Sequence, residues 1–386
     1  MGALQIIETH AQADRSAAKV VDISLAASRD WGALSRGDRM AQFGDMAFEI
    51  VCRQIQRDYA SFFKRHVLTR LDRDERPALK DSSVLIALSS LGGALTGADI
   101  AHALRARPST ISRSLAALED REWVSTAPCE HDSRATCNLL TEEGRRITDS
   151  LMHYWAIAVA KAEMLTGSHV DRETFARWSA VMHTVKDRAF AYREFKPGRL
   201  NVYRHGMSRP EPARRHDASR SFALRDSYLR FYALAAHRDY QDCLNRRAIK
   251  PALAGSGLTV RELRVLMCVD FYQTGLSQSE VASTLRMDTA TVARATQILA
   301  ERGWVDLRED DEDSRLCLVS LSSGGQRLAE RYRAHCLTLS ERIESQYDLH
   351  TTREEMAQLM KTLVDIRDRA ARFADLKVLP KADPEV

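Results

Sequence analysis

Sliding the chain along itself by 181 residues superimposes Arg57-Asp58-Tyr59 on Arg238-Asp239-Tyr240, Trp123-Val124 on Trp304-Val305, Asp132-Ser133-Arg134 on Asp313-Ser314-Arg315, and Asp187-Arg188-Ala189 on Asp368-Arg369-Ala370. No gap is needed. Of the 145 positions from 45 to 189, 31 carry the same residue as their partners, and 18 of those fall in the 64 positions from 84 to 147. One matching tripeptide arises by chance, whereas several in a single register mean that one structural unit was duplicated. Solenoid repeats have periods of roughly 20 to 50 residues, so each copy here is a whole domain, with its middle the most constrained part. The 386 residues accommodate two such domains at about 150 residues each.

The expected organisation is a lead of unknown role over 1–38, a first domain over 39–189, a linker over 190–221, a second domain over 222–375 and a tail over 376–386. The linker holds Pro197, Pro210 and Pro212 and eight basic residues against three acids. That composition reads as a solvated connector in preference to a strap that touches phosphates. Over the whole chain 57 basic residues face 53 acidic ones, an excess of four that does not by itself indicate a polyanionic partner. No stretch approaches the roughly 18 to 20 apolar residues of a membrane helix, and the opening residues lack a basic segment followed by an apolar core. A cytoplasmic chain with no membrane partner is expected. The seven cysteines are odd in number and contain no C-x-x-C pair. Reduced thiols follow as the default for a chain able to build its cores without covalent staples.

Within a copy the pattern is mainly helical with one small β element. Met40 to Arg70 and Phe222 to Arg247 show apolar residues at helical spacing, so each copy opens with a long helix. A shorter apolar segment follows around Val84 to Leu91 and Val265 to Tyr272. The next helix begins at Thr96-Gly-Ala-Asp99 and Ser277-Gln-Ser-Glu280, each a capping box that satisfies the orphan backbone donors of a helix start. A four-residue break, Arg105 to Pro108 or Arg286 to Thr289, precedes another helix. Pro108 suits its first position, and Asp288 is a natural N-cap. On that helix Ile111, Leu115 and Leu118, matched by Val292, Thr296 and Leu299, form a core stripe. The opposite face holds Ser109, Ser112, Arg113 and Ala116, matched by Ala290, Ala293, Arg294 and Gln297. Small and hydrogen-bonding residues there let the backbone approach another surface closely.

Two helices joined by a tight turn, the second with a small polar face, make a helix-turn-helix. Behind it, Trp123-Val-Ser-Thr and Trp304-Val-Asp-Leu begin a strand, a polar tip holds Asp132-Ser-Arg134 or Asp313-Ser-Arg315, and a return strand runs from Ala135 to Leu140 or Leu316 to Leu321. That is a β-hairpin wing. With these elements, each copy resembles the DNA-binding core of the MarR family of bacterial winged-helix regulators. The carriers are L-x-x-x-x-I/V-A-x-x-L (Leu95 to Leu104, Leu276 to Leu285), T-[IV]-x-R (Thr110 to Arg113, Thr291 to Arg294), L-x-x-R-x-W-V, D-S-R, and L-[TS]-x-x-G (Leu140 to Gly144, Leu321 to Gly325).

The resemblance covers roughly 40 to 190 and 221 to 375. It implies two tandem α+β winged-helix domains forming a pseudo-dimer in one chain, with terminal helices of the copies interleaved; whether two chains pair further is left open. It also implies a double-stranded DNA operator as partner, repression, and release by a small, often aromatic effector whose binding residues are unknown. Arg113 and Arg294 would meet a guanine edge or phosphate, while Ser109, Thr110, Ser112, Thr289 and Thr291 would hydrogen-bond phosphates or bases. Arg134 and Arg315 match the family's minor-groove arginine, with Asp132 and Asp313 fixing its approach. The recognition helices differ between copies, so an asymmetric or degenerate operator is expected. The second wing, Asp306 to Arg315, carries six acids and two arginines, which should weaken phosphate contact in that lobe.

Other chemistry finds no support in the residues. Histidines and cysteines are not at metal-ligand spacing, no phosphate-binding or dinucleotide glycine motif occurs, and no nucleophile elbow is present. No enzyme activity, cofactor or metal is expected. Cys52, Cys129 and Cys137 read as packed or inert thiols in preference to redox sensors. Tyr59, Phe62, Phe63, Trp155, Tyr240 and Tyr272 lie near the expected effector cleft and read mostly as core. The competing reading is a protein-interaction or ligand-sensing module whose degenerate winged helices do not bind DNA.

Overall fold

The computed structural model describes residues 45–92, 94–104, 106–129, 132–195, 225–272, 275–310, 316–347, 349 and 353–379. The first copy runs α1 (Asp45–His66), α2 (Leu79–Leu91), β1 (Leu95–Thr96), α3 (Gly97–Ala103), α4 (Pro108–Glu119), β2 (Val124–Cys129), β3 (Asp132–Leu140), α5 (Glu142–Thr166) and α6 (Arg172–Glu194). The second repeats the order as α7 (Arg225–Leu244), α8 (Val260–Tyr272), β4 (Leu276–Ser277), α9 (Gln278–Leu285), α10 (Thr289–Glu301), β5 (Val305–Glu309), β6 (Cys317–Leu321), α11 (Ser323–Tyr347) and α12 (Arg353–Asp375). In each copy a two-residue strand pairs antiparallel with the wing's return strand, giving sheets of order β1-β3-β2 and β4-β6-β5. The fold is mainly α with small β wings, as the sequence implies. The expected helix starts at Met40 and Phe222 lie outside the described residues.

Compactness divides the chain differently from the repeat. One unit contains Cys243 to Arg342, the winged helix of the second copy; the other contains Ala47 to Asp242 together with the residues from Ile343 onward. The second unit therefore combines the first winged helix with helices from both copies, and its internal bonds obey the 181-residue offset. Arg188 on α6 donates from Nη2 to Glu344 Oε1 at 2.7 Å and from Nη1 to the Leu349 carbonyl at 3.1 Å. Arg369 on α12 donates from Nη2 to Glu163 Oε1 at 2.8 Å and from Nη1 to the Ser168 carbonyl. Each residue of one pair is the 181-residue partner of a residue in the other, and each pair crosses from one copy to the other. This is the reciprocity of a two-fold interface, in which residue i meets j and j meets i.

The aromatic packing follows the same rule. Tyr59 meets Phe373 with ring centroids 6.3 Å apart, and the offset-related pair Tyr240 and Tyr192 stands 5.0 Å apart. Phe62, Phe63 and Trp155 close the core around them and are fully or almost fully buried. All four carboxylate and guanidinium groups of the reciprocal ion pairs are buried as well. A charge taken out of water is tolerated only when paired and hydrogen-bonded, so these pairs act as keys that hold the helices in one register. Five of the six aromatic residues considered for an effector cleft are thus core; Tyr272 alone is half-buried.

Candidate nucleic-acid interface

Local chemistry places α4 and α10 in the same way. Both capping boxes form: Thr96 N–H donates to Asp99 Oδ2 at 3.0 Å and Asp99 N–H to Thr96 Oγ1 at 3.1 Å, while Ser277 and Glu280 exchange bonds of 2.8 and 3.2 Å. Pro108 occupies the first turn of α4, and Asp288 caps α10 by accepting from Thr291 N–H at 2.7 Å. Ile111, Leu115 and Leu118 are buried, as are Val292, Thr296 and Leu299. Their burial turns Ser109, Ser112 and Arg113, and Thr289 and Arg294, outward to solvent, with Thr110 and Thr291 half-exposed.

Arg113 Nε donates to the Ser109 carbonyl at 3.1 Å and Arg294 Nε to the Ala290 carbonyl at 3.3 Å, so each side chain lies back along its own helix. Neither has a carboxylate within ion-pair distance among the described residues. The two faces nevertheless differ. Neither helix carries an acid in its first turn, but α4 is preceded by the exposed Arg107 and α10 by the exposed Asp288. The Thr291 hydroxyl, at 2.6 Å, and then the Thr291 N–H hold the Asp288 carboxyl below the usual carboxylate range. Thr291, counted above among the candidate DNA contacts, therefore spends its hydroxyl on the cap. A helix N-terminus attracts phosphate through its free N–H groups and partial positive charge, and a fixed carboxylate at that spot opposes it.

Sequence reading missed the residues that hold recognition helix and wing together. Arg121 donates to the Arg76 carbonyl at 3.2 Å and to the Asp74 carbonyl and stacks 4.0 Å over Trp123; its counterpart Arg302 donates to the Gly257 carbonyl. The arginine of L-x-x-R-x-W-V is thus a brace between the end of the recognition helix and the loop before α2 or α8. Thr141 Oγ1 donates to the Glu122 carbonyl at 2.7 Å and accepts from Gly144 N–H at 3.0 Å, and Ser322 does the same with Gly303 and Gly325 at 2.6 and 3.0 Å. A Cβ at Gly144 or Gly325 would overlap the Trp123 or Trp304 carbonyl oxygen, which explains the glycine in L-[TS]-x-x-G. The signal was present in the motifs, but the partners are backbone atoms that no motif records.

The wings are antiparallel hairpins, with Val124 opposite Leu140 and Val305 opposite Leu321. Asp132 begins β3; the side chains of Asp132 and Arg134, and Asp313 and Arg315 altogether, lie outside the described residues. One expectation is overturned here. Cys129 and Cys137 are not reduced thiols but form a disulfide with Cα atoms 5.2 Å apart. The physical reason is strand pairing with a register shift: Cys137 lies opposite Ala127, the pairing shifts between Pro128 and Cys129, and Cys129 stands with its Cα within disulfide reach of that of Cys137. Among the described residues no group of His, Cys, Asp or Glu is placed to hold a metal, and no helix is long and apolar enough to cross a membrane.

The sequence model of the MarR family matches residues 78–135 and 256–316, one winged helix in each copy. The HTH-type transcriptional repressor YetL of Bacillus subtilis (strain 168) is 30% identical over 124 residues, which make up 32% of this chain and 71% of YetL. The chain belongs to the MarR family. Solved MarR-family structures match one copy's worth of it. CouR from Rhodococcus jostii RHA1, solved bound to p-coumaroyl-CoA, is 28% identical with 31% of this chain and 81% of CouR covered, at a TM-score of 0.26. A mutant MarR from E. coli, solved with operator DNA, is 22% identical with 31% of this chain and 84% of MarR covered, at a TM-score of 0.25. This MarR-family chain is a transcription regulator in which the family's domain occurs twice.

Proposed function

We propose that this MarR-family regulator is a repressor that binds double-stranded operator DNA through α4 and α10, inserted in successive major grooves, with half-sites centred roughly 34 to 36 Å apart. The observation that carries the reading is the matched pair Arg113 and Arg294. Each is exposed on a helix whose opposite stripe is buried, and neither is ion-paired among the described residues, in two copies that have diverged beside them at Ser109, Ser112 and Ala116 while keeping Thr110 and Thr291. Ser109, Thr110, Ser112, Thr289 and Thr291 would supply phosphate or base contacts, and Arg134 and Arg315 would reach the minor groove, steadied by Asp132 and Asp313. Because Arg107-Pro108 and Asp288-Thr289 set different charges at the two helix starts, the first lobe grips more tightly and the operator is asymmetric.

The deciding experiment selects bound sequences from a random duplex pool and then follows affinity against salt. Phosphate neutralisation makes the logarithm of affinity fall linearly with that of salt concentration. A perfect palindrome held with equal strength by both lobes would refute the asymmetry, and the absence of any enriched duplex would refute DNA binding. The second reading, a protein-docking module, is favoured by the six acids between Asp306 and Arg315; a salt-insensitive partner retained without DNA would support it.

A small-molecule effector completes the proposal. A cavity of about 410 Å³ in the second winged helix is lined in part by Asp270, Gln326, Glu330 and Arg333, with Asp270 and Arg333 ion-paired. Ligand sites commonly enclose roughly 300 to 1,000 Å³. An effector weakens DNA binding only by its differential affinity for the DNA-incompetent arrangement. Release of the selected duplex by one member of a panel of aromatic acids is the expected result, and no release by any member counts against an aromatic effector.

A further inference from the structure

Seven cysteines are distributed over the chain, and their environments sort them sharply. Cys52, Cys243, Cys268 and Cys336 are buried in helix cores. Burial raises the Cys52 thiol far above its ordinary range, with the nearby Glu49 carboxylate adding to the effect, and pushes Cys268 up to about 12. A thiol is reactive as its thiolate, so these two are inert near neutral pH. Cys317 is half-exposed in β6 but not disulfide-bonded. Cys129 and Cys137 differ from all of these, being joined across a wing, with Cys129 half-exposed and Cys137 buried.

The bond encloses residues 130 to 136, which include Arg134. It is confined to one copy. The positions offset by 181 residues are Asp310 and Leu318, so the second wing, which forms the equivalents of the first wing's pairs from Val124–Leu140 to Pro128–Thr136, has no crosslink. Hairpin formation therefore does not require the disulfide, which leaves it free to serve another purpose.

We infer that Cys129 and Cys137 are a reversible oxidation site that takes a peroxide as oxidant and a dithiol as reductant, and that the bond tightens the first wing's grip on DNA. The DNA half of this inference rests on the function proposed above. In the oxidation, the Cys129 thiolate, the more accessible of the two, attacks one peroxide oxygen. The O–O bond breaks, Cys129 becomes a sulfenic acid, and the departing hydroxide takes up a proton to leave as water. The Cys137 sulfur then attacks the Cys129 sulfur, the S–S bond forms, the S–O bond breaks, and a second water leaves with the remaining proton. Two electrons pass from the two sulfurs to the peroxide. Reduction reverses the electron flow: a dithiol thiolate attacks the Cys129 sulfur, displaces the Cys137 thiolate and closes its own disulfide, returning two thiols to the wing.

The bond acts by pre-organisation. An open hairpin tip must be ordered when it meets DNA, whereas a crosslinked one has lost most of that freedom beforehand. Ordering one long side chain and its loop on binding costs enough to change affinity by about two- to tenfold. The test uses the full chain and a duplex selected with the Cys129→Ser, Cys137→Ser double variant, so that selection is blind to redox state. Hydrogen peroxide followed by dithiothreitol is the probe, and alkylation with mass spectrometry reads the thiols independently of DNA. Peroxide should remove Cys129 and Cys137 from alkylation and dithiothreitol should restore them. The oxidised chain should bind the duplex about two- to tenfold more tightly than the reduced one. The double variant should bind like the reduced chain and ignore peroxide, while Cys317→Ser should respond like the parent. Two thiols still alkylated after peroxide, or equal affinity in the two redox forms, overturns the inference. Loss of all duplex binding in every form overturns the DNA-binding reading and its redox coupling together, and alkylation then still reports whether the thiol pair itself is oxidised.

Discussion

The two winged helices share their internal bonding and differ in surface charge. Capping box, brace arginine and the Thr141 or Ser322 clasp recur at equivalent positions. Arg107 against Asp288 before the recognition helix, and a crosslinked first wing against an acidic second one, separate the lobes. What recurs is bonded to backbone atoms, which every residue possesses, so it survives sequence drift around it. What diverged at the start of the recognition helix, Arg107 against Asp288, is exposed and contributes little to the fold. The difference teaches that duplication preserved a scaffold while freeing one lobe's outer face for another affinity or another partner.

The largest expected effect is on the symmetric part. Arg188→Ala and Arg369→Ala each remove the guanidinium that pairs with a buried glutamate, Glu344 or Glu163, and each should cost about 3 to 5 kcal/mol in urea unfolding. The two costs should agree closely; a loss at one position alone would break the two-fold reading of the helical core. On the DNA face the outcome should be unequal. Arg113→Ala is expected to weaken binding of the selected duplex by about 1 to 3 kcal/mol and Arg294→Ala by roughly half that, measured by fluorescence anisotropy at fixed salt. Equal losses would remove the charge argument for a weaker second lobe.

Asp288→Asn sharpens the same point with a smaller effect. Asparagine caps a helix as well as aspartate, so α10 should persist while a like charge facing phosphate disappears, tightening binding about two- to fivefold. Since hydrogen bonds from Thr291 keep Asp288 below the ordinary carboxylate range, it is ionised throughout, and the gain should be the same at about pH 5 and about pH 8. A gain that vanished at the lower pH would contradict that assignment. The smallest effect concerns the turn before the wing. Glu122 sits at φ 58° where the second copy has Gly303 at φ 71°. Glu122→Gly should raise stability, and Gly303→Glu lower it, by up to about 1 kcal/mol in thermal unfolding.

Much of the scaffold was legible because its determinants are local. Thr96 with Asp99, Ser277 with Glu280, Pro108, Asp288 and the stripe of Ile111, Leu115 and Leu118 act within one or two turns of chain, and the structure has them as read. Arg113 and Arg294 were legible for the same reason: a helix with one apolar stripe must turn its other face outward. The glycines of L-[TS]-x-x-G were visible as a pattern but not as a cause, since the obstructing atom is a carbonyl some twenty residues earlier. The Cys129–Cys137 bond escaped because eight residues of separation says nothing until strand register fixes which side chains share a face.

Periodicity, caps and a 181-residue echo were enough to determine that two winged helices exist and which side of each recognition helix faces out, because those properties depend on near neighbours. Tertiary structure alone decided that Arg188 meets Glu344 while Arg369 meets Glu163, crossing from copy to copy. All four residues are repeated identically in the sequence, yet identity cannot say whether a charge finds its partner in its own copy or in the other. That choice is made only when helices far apart in the chain pack, lose their water and must neutralise one another.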